Sequence, residues 1–133
     1  MEIKEISELD NKSYWISKIN EADWRAAQFL VQLLESGNFY DHCGSTSKLF
    51  LLINNLDLIS FCTYAEKDEI PETNLTPWIG FVYTFPQFRG KRRIGILIDH
   101  IYHLAKMKVS KILIFRLISQ DSMKILVLLL RKN

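Results

Sequence analysis

A short segment of this sequence, TFPQFRGKRRIG at residues 84–95, concentrates positive charge around a glycine, Gly90. Its four basic residues are Arg89, Lys91, Arg92 and Arg93. The segment joins an apolar stretch rich in β-forming residues to an amphipathic helical pattern, so it lies where a helix begins. The first turn of a helix presents amide N–H groups without internal partners, and its dipole favours negative charge. Glycine lets the backbone approach a ligand and basic side chains add charge-assisted hydrogen bonds, so the pattern predicts a site for two linked phosphates.

The distribution of charge along the chain is consistent with such a ligand. The formal net charge is only +2. Residues 1–88 contain six Lys and Arg against thirteen Asp and Glu, a formal charge of −7, whereas residues 89–133 contain eleven against two, a formal charge of +9. A basic half of this kind is typical of proteins that bind nucleic acid, a membrane surface or a phosphorylated cofactor. Charge alone does not choose among these ligands, and a merely solvated basic loop is the remaining interpretation.

The segment VYTFPQFRGKRRIGILIDHIYHLAK resembles the acetyl-CoA-binding motif of the GNAT-superfamily N-acetyltransferases. Strand, proline, aromatic residue, Arg-Gly-Lys and helix follow one another in the family's order, and FCTYAEKDEIPETNLTPWIGFVY upstream also resembles a bacterial branch of that superfamily. The family pattern Q/R-x-x-G-x-G/A begins at Arg89. Arg92 stands where the family has glycine, and Ile94 stands where it has a small residue. The resemblance covers roughly residues 48–115.

This resemblance implies that acetyl-CoA is the co-substrate and that an amine accepts the acetyl group. It implies that the backbone at the end of the strand binds the pantetheine arm and that the following loop surrounds the pyrophosphate. The cofactor-binding residues predicted in this way are Tyr83, Thr84, Phe85, Arg89, Gly90, Lys91, Arg92, Arg93 and Ile94.

Acetyl transfer to an amine needs a base for the amine proton, a donor for the developing oxyanion and an acid for the departing thiolate. The acidic loop EKDEIPETNLTP contains Glu66, Asp68 and Glu69, and we expect Asp68 or Glu69 to be the base; a solvated acidic loop is the alternative. A backbone N–H beside a bulge in the strand at 79–85 is the predicted oxyanion donor, since a glycine weakens regular pairing there. Tyr83 is the predicted acid.

The end of the chain departs from the family pattern. After KILIF the family continues with a helix and strands around a tyrosine, whereas this chain ends RLISQDSMKILVLLLRKN. Back-translated with permitted codons and displaced by two bases, residues 114–127 can be read as ISTNQPGLYENIG, which resembles the family's C-terminal motif. We hypothesise a frameshift near codon 114, which sequencing of the gene tests. Such a chain would lose the segment that closes the acceptor pocket, and ILVLLL would complete the core as a strand or helix, or drive a homodimer.

Hydrophobic periodicity predicts the elements that position these residues. NEADWRAAQFLVQLLESG is typical of one helix with its cap at Asn20 and its end at Gly37. KLFLLIN and LISFCTYA predict an antiparallel hairpin, and WIGFVYTF predicts a strand that stops at Pro86. A helix follows at about 91–108 and a short strand at 111–115. One face of that helix is expected to be apolar: Ile94, Leu97, Ile98, Ile101, Leu104 and Ala105.

This order of elements predicts an α/β fold of the α+β type, with a mixed, mostly antiparallel sheet and flanking helices. By resemblance it is a GNAT-like fold with an altered C-terminal part. A single domain over residues 1–133 is expected from the length. No metal is expected, because the two cysteines lack ligand spacing and because His100 and His103, beside Asp99, have no evident distant partner. A cytoplasmic location is expected, because the first residues are charged and no apolar run is long enough to cross a bilayer.

The sequence therefore favours an N-acetyltransferase that uses acetyl-CoA on an unidentified amine, without nucleic-acid or membrane partners. The altered end of the chain makes a CoA-binding but catalytically impaired protein the alternative. A nucleic-acid-binding module is a third possibility, disfavoured because aromatic residues are not interleaved with the basic ones and no recognition motif occurs.

Overall fold

A computed structural model describes residues 1–65, 78–90, 93–105, 109–118 and 123–131. It has the α+β architecture predicted from the sequence, with an antiparallel sheet and helices on both faces. The elements are, in chain order, β1 (Glu2–Glu5), α1 (Lys12–Asn20), α2 (Arg25–Ser36), α3 (Phe39–Cys43), β2 (Lys48–Asn54), β3 (Asp57–Ala65), β4 (Trp78–Thr84), α4 (Arg93–Ala105), β5 (Val109–Ile118) and β6 (Met123–Arg131).

Strands β1 to β4 form a four-stranded antiparallel sheet in sequence order. The predicted β2–β3 hairpin is confirmed, and its turn places Asn55 at a positive φ of 56°, which asparagine tolerates better than most residues. Side chains on alternate positions of β2 enter two different cores: Leu49 and Leu51 pack on one side, and Phe50 and Leu52 on the other. Both faces of the sheet are therefore buried.

The first core lies between the sheet and helices α1 to α3. The single helix predicted from Asn20 is wrong: Asn20 is the last residue of α1, and α2 begins only at Arg25. The chain between them is held by Gln28, whose side-chain amide donates to the Ala22 carbonyl at 2.7 Å, so the break has a local hydrogen-bonded cause. The predicted end of the helix is confirmed, since Gly37 adopts a φ of 78° and closes α2.

The second core lies under α4, on the opposite face of the sheet. Leu97, Ile98 and Ile101 are buried there as the helical spacing predicts. Leu104 was expected on the same face but is 60% exposed; it lies in the last turn of α4, which ends at Ala105. Among the residues described, no helix is long and apolar enough to cross a membrane.

The C-terminal strands differ most from expectation. The tail forms strand β6, and the predicted strand at 111–115 is part of the longer β5. Strand β6 lies between β4 and β5, giving the order β1-β2-β3-β4-β6-β5. All strand pairs among the described residues are antiparallel, so the predicted mixed sheet is wrong. Insertion of β6 separates β4 from β5, which would otherwise be its parallel neighbour.

Candidate functional site

Strand β4 contains the bulge that the sequence indicates. Its register with β3 shifts between the pairs Phe61–Tyr83 and Thr63–Gly80, so β4 has one residue more than β3 in that interval. Phe81 lies in this interval with a φ of 48°, a conformation that is rare for a large side chain. The bulge therefore follows Gly80 rather than lying at it. A Cβ on Gly80 would make only an ordinary contact of 3.5 Å with the Thr63 hydroxyl.

The edge of β4 away from β3 is paired at its first two residues and, among the described residues, is open beyond them. Its pairing with β6 consists of Trp78 with Leu128 and Ile79 with Val127. In the described part of the chain no strand pairs with this edge from Gly80 to Thr84. Backbone N–H and C=O groups on such an edge remain available for another extended chain or for a ligand.

The last residue of β4 directs its peptide groups toward that open edge. The Phe85 amide donates to the Ile59 carbonyl at 3.0 Å, which makes residues 59 and 85 a hydrogen-bonded pair. Neighbouring pairs alternate in an antiparallel ladder, so Thr84 is oriented away from β3. Arg89 reaches back to this edge, where its Nε donates to the Thr84 carbonyl at 2.8 Å. Its guanidinium carbon lies 5.3 Å from the centre of the Tyr83 ring.

Ser60 fixes the same end of β4 from the β3 side. Its side chain is fully buried, and its hydroxyl donates to the Tyr83 carbonyl at 2.7 Å. The hydroxyls of Ser60 and Thr84 are 3.1 Å apart. Sequence reasoning missed this residue; the available signal was a hydroxyl side chain within the apolar strand LISFCTYA.

The loop that follows β4 leads directly to α4. Residues Pro86–Phe88 form a 3-10 turn, and Gly90 adopts a φ of 85°, which favours glycine. Apart from its chain neighbours, no heavy atom of the described residues lies within 4 Å of a Cβ built on Gly90, so the described part of the loop is open at this point. Lys91 and Arg92 lie outside the described residues, and their predicted contacts stay predictions.

Two further predicted residues lie at the start of α4. One guanidinium nitrogen of Arg93 donates to the Met1 sulfur, which holds this side chain toward the N-terminus of the chain. Its Nε is buried and has no hydrogen-bond partner among the described residues. Ile94 is half-buried and packs against the second core, so it contributes to seating the helix.

The structure places the Tyr83 ring in the first core. It stacks on Trp24 with a centroid distance of 5.6 Å and on Phe61 at the same distance, and meets the Phe85 ring edge-on at 5.2 Å. Only 9% of the residue is exposed. The ring therefore has a packing role, while its predicted role as an acid stays a prediction.

The remaining candidate residues are the predicted bases of the acidic loop and the two cysteines. The predicted bases, Asp68 and Glu69, lie outside the described residues, as does Glu66. Cys43 and Cys62 are both buried. Burial raises the pKa of the Cys62 thiol above its ordinary value, which disfavours the reactive thiolate. Among the described residues, no group of three His, Cys, Asp or Glu side chains is placed to hold a metal ion.

Sequence reasoning also missed an aromatic surface beside the bulge. Phe29 of α2 stacks on Phe81 with a centroid distance of 6.4 Å, and His42 of α3 meets Phe29 edge-on at 5.1 Å. Phe29 is 41% exposed, although its neighbour Phe81 is buried. Its spacing from Trp24 did not reveal this contact, because Phe81 is distant from Phe29 in the sequence.

Comparisons of this chain with protein-family models, with curated proteins and with solved structures give no match. The resemblance to acetyltransferases therefore stays a prediction from the sequence motif.

Proposed function

We propose that this protein is a GNAT-type N-acetyltransferase that transfers the acetyl group of acetyl-CoA to a primary amine. The observation that carries the proposal is the open edge of β4, which begins at the bulge and ends at the basic loop before α4. An extended ligand with amide groups, such as the pantetheine arm of CoA, can form hydrogen bonds with a strand edge. A phosphate can bind the free N–H groups at the start of a helix. Here the two features are consecutive along the chain.

The residues of the loop fit a diphosphate in part. The buried Arg93 Nε lacks a partner among the described residues, and a buried N–H donor of this kind is stabilised by an anion. The open backbone at Gly90 leaves room for close approach. Arg89 contacts the Thr84 carbonyl and the Tyr83 ring, so it would have to share its guanidinium between these contacts and a phosphate.

The proposed reaction forms an N–C bond between the amine and the acetyl carbonyl carbon and breaks the C–S bond of the thioester. The amine nitrogen loses a proton to Asp68, Glu69 or water, and the thiolate takes up a proton on leaving. A backbone N–H beside the bulge would donate to the developing oxyanion, because the extra residue leaves peptide groups outside the regular ladder. Acetyl-CoA supplies the activated acetyl group.

Titration calorimetry with CoA tests this proposal. We expect binding, and we expect replacement of Arg89 and Arg92 together by alanine to weaken it by at least about tenfold, because charge-assisted hydrogen bonds to phosphate contribute roughly 1.5–3 kcal/mol each. Replacement of the exposed Lys12 and Lys48 by alanine is the matched control, since it removes the same charge elsewhere. Absence of CoA binding, or equal affinity in both double variants, would refute the proposed site.

A CoA-binding protein without transferase activity is the second candidate. The observation that favours it is the packing of Tyr83 among Trp24, Phe61 and Phe85, which engages the predicted acid in the core. An assay that follows release of free CoA thiol with a panel of amines separates the two candidates. CoA binding without thiol release with any amine would support the second.

A further inference from the structure

The side chain of Arg89 lies on the part of the β4 edge that no described strand covers. Its Nε donates to the Thr84 carbonyl at 2.8 Å, and its guanidinium carbon lies 5.3 Å from the centre of the Tyr83 ring. The amide of Phe85 is bonded to β3, so the peptide groups of Thr84 face the other edge. The guanidinium therefore stands in the position that an N–H group of a ligand on this edge would take.

This arrangement directs Arg89 away from the helix that follows the loop. The Tyr83 ring belongs to the first core, under α1 to α3, whereas α4 covers the second core on the opposite face of the sheet. The guanidinium lies against the Tyr83 ring and so is drawn toward the face opposite α4. A phosphate at the start of α4 would require Arg89 to leave these two contacts.

The surroundings of Arg89 allow such a change of partner. Arg89 is exposed, and the next residue, Gly90, has a φ of 85° and open space around it among the described residues. A guanidinium binds a phosphate more strongly than a peptide carbonyl, because both partners then carry charge and two parallel hydrogen bonds can form. A bound diphosphate would therefore draw the side chain away from Thr84.

We propose that Arg89 makes ligand binding at the strand edge depend on the diphosphate. Without a diphosphate, Arg89 occupies the Thr84 carbonyl and weakens the binding of an amide-containing arm. With a diphosphate bound, the guanidinium contacts phosphate, and the carbonyl accepts a ligand N–H instead. Arg89 thus selects CoA over ligands that carry the same arm without a diphosphate. The inference rests on the proposed function, since it requires both parts of CoA to bind here.

Binding of the two parts of CoA as separate molecules tests the inference. Pantetheine is titrated into the full chain with and without saturating inorganic pyrophosphate, and the backbone amide resonances are followed by NMR. The titrations are repeated with Arg89→Ala and with the control Lys12→Ala, which removes an exposed basic residue from α1. CoA is titrated into all three chains under the same conditions.

We expect pyrophosphate to tighten pantetheine binding about fivefold in the unaltered chain and in Lys12→Ala, as the release of one exposed hydrogen bond would give. Arg89→Ala should bind pantetheine about fivefold more tightly than the unaltered chain without pyrophosphate, and pyrophosphate should add nothing further. The same variant should bind CoA more weakly, because the phosphates lose a guanidinium partner. A merely structural role of Arg89 would move both affinities in the same direction.

Two results would overturn the inference: a pantetheine affinity that does not depend on pyrophosphate in the unaltered chain, or one that does not rise in Arg89→Ala. If CoA still bound in that case, the proposed function would stand without this role for Arg89. Absence of CoA binding to the unaltered chain would remove the proposed function, and the inference with it.

Discussion

The two edges of strand β4 differ in how fully they are used. Toward β3 the strand is anchored by ladder hydrogen bonds, by the buried Ser60 hydroxyl and by the Phe85 amide. Away from β3, the pairs formed by described residues are those of Trp78 and Ile79 with β6. The bonds to β3 thus fix the position of β4, including the peptide groups on its other edge, which remain available. A ligand site of this kind can be rigid without being closed, because the anchoring bonds lie on the far side of the same strand.

The largest loss of stability is expected from removing the ring of Phe61, which lies in β3 beside the hydrogen-bonded edge of β4. Phe61 is fully buried and stacks on Tyr83, so Phe61→Ala should lower the free energy of unfolding by about 3–5 kcal/mol. Denaturant unfolding followed by circular dichroism measures this. Leu104→Ala, which removes an exposed side chain, should change the stability by less than about 0.5 kcal/mol. Equal losses in the two variants would mean that the ring does not support the strand.

Loss of the Ser60 hydroxyl should have the next largest effect. Ser60→Ala removes a buried hydrogen bond to the Tyr83 carbonyl, which costs about 0.5–1.5 kcal/mol of stability because the carbonyl keeps its ladder partner in β3. Amide hydrogen exchange should show faster exchange at the end of β4 than in β2. A uniform change in exchange over the whole sheet would contradict an anchoring role for Ser60.

The strain at the bulge is tested by comparing the stabilities of glycine and alanine variants at two adjacent positions, where the order of stability should be opposite. At Phe81, whose φ is 48°, glycine should be more stable than alanine by about 1 kcal/mol, because alanine is disfavoured in the left-handed region. At the adjacent Val82 the order should be the usual one for a strand, with alanine more stable than glycine by about 0.5–1 kcal/mol. Four variants compared in denaturant suffice. The same order of stability at both positions would contradict the positive φ at Phe81.

The smallest effect is expected at the open edge. Arg89→Ala removes a hydrogen bond to the Thr84 carbonyl and a contact with the Tyr83 ring at an exposed position, so the stability should fall by no more than about 1 kcal/mol. Arg89→Lys keeps the charge without the planar guanidinium and should lose a similar amount. A loss above about 2 kcal/mol in thermal unfolding would show that this edge is structurally essential rather than available.

Local patterns predicted the parts of the fold that local chemistry determines. The hairpin of β2 and β3, the end of α2 at Gly37 and the buried face of α4 follow from strand propensity, a left-handed glycine and helical spacing. The division between α1 and α2 was missed because Asn20 is a good cap residue in sequence, while the side chain of Gln28 holds the chain in a different path.

Long-range contacts set the limit of that reasoning. The position of β6 between β4 and β5 depends on the pairing of distant segments. Hydrophobic periodicity and strand propensity do not specify which strands become neighbours. The cofactor loop was predicted as a segment, but the turn of Arg89 toward Thr84 and of Arg93 toward Met1 depends on neighbours that only the fold supplies. The predicted homodimer, the cytoplasmic location and the bases in the acidic loop stay predictions.

The extra residue in β4 also sorts side chains by chemical type. A strand with an unbroken two-residue repeat would send Ile79, Phe81 and Tyr83 to the same side. Instead Ile79 joins Val82 in the second core, under α4, while Phe81 and Tyr83 join the first core, under α1 to α3. Deleting one residue of the bulge would restore the even repeat and turn Ile79 over into the first core. A single inserted residue thus directs the aliphatic side chains of Ile79 and Val82 to one face of the sheet and the aromatic rings of Phe81 and Tyr83 to the other.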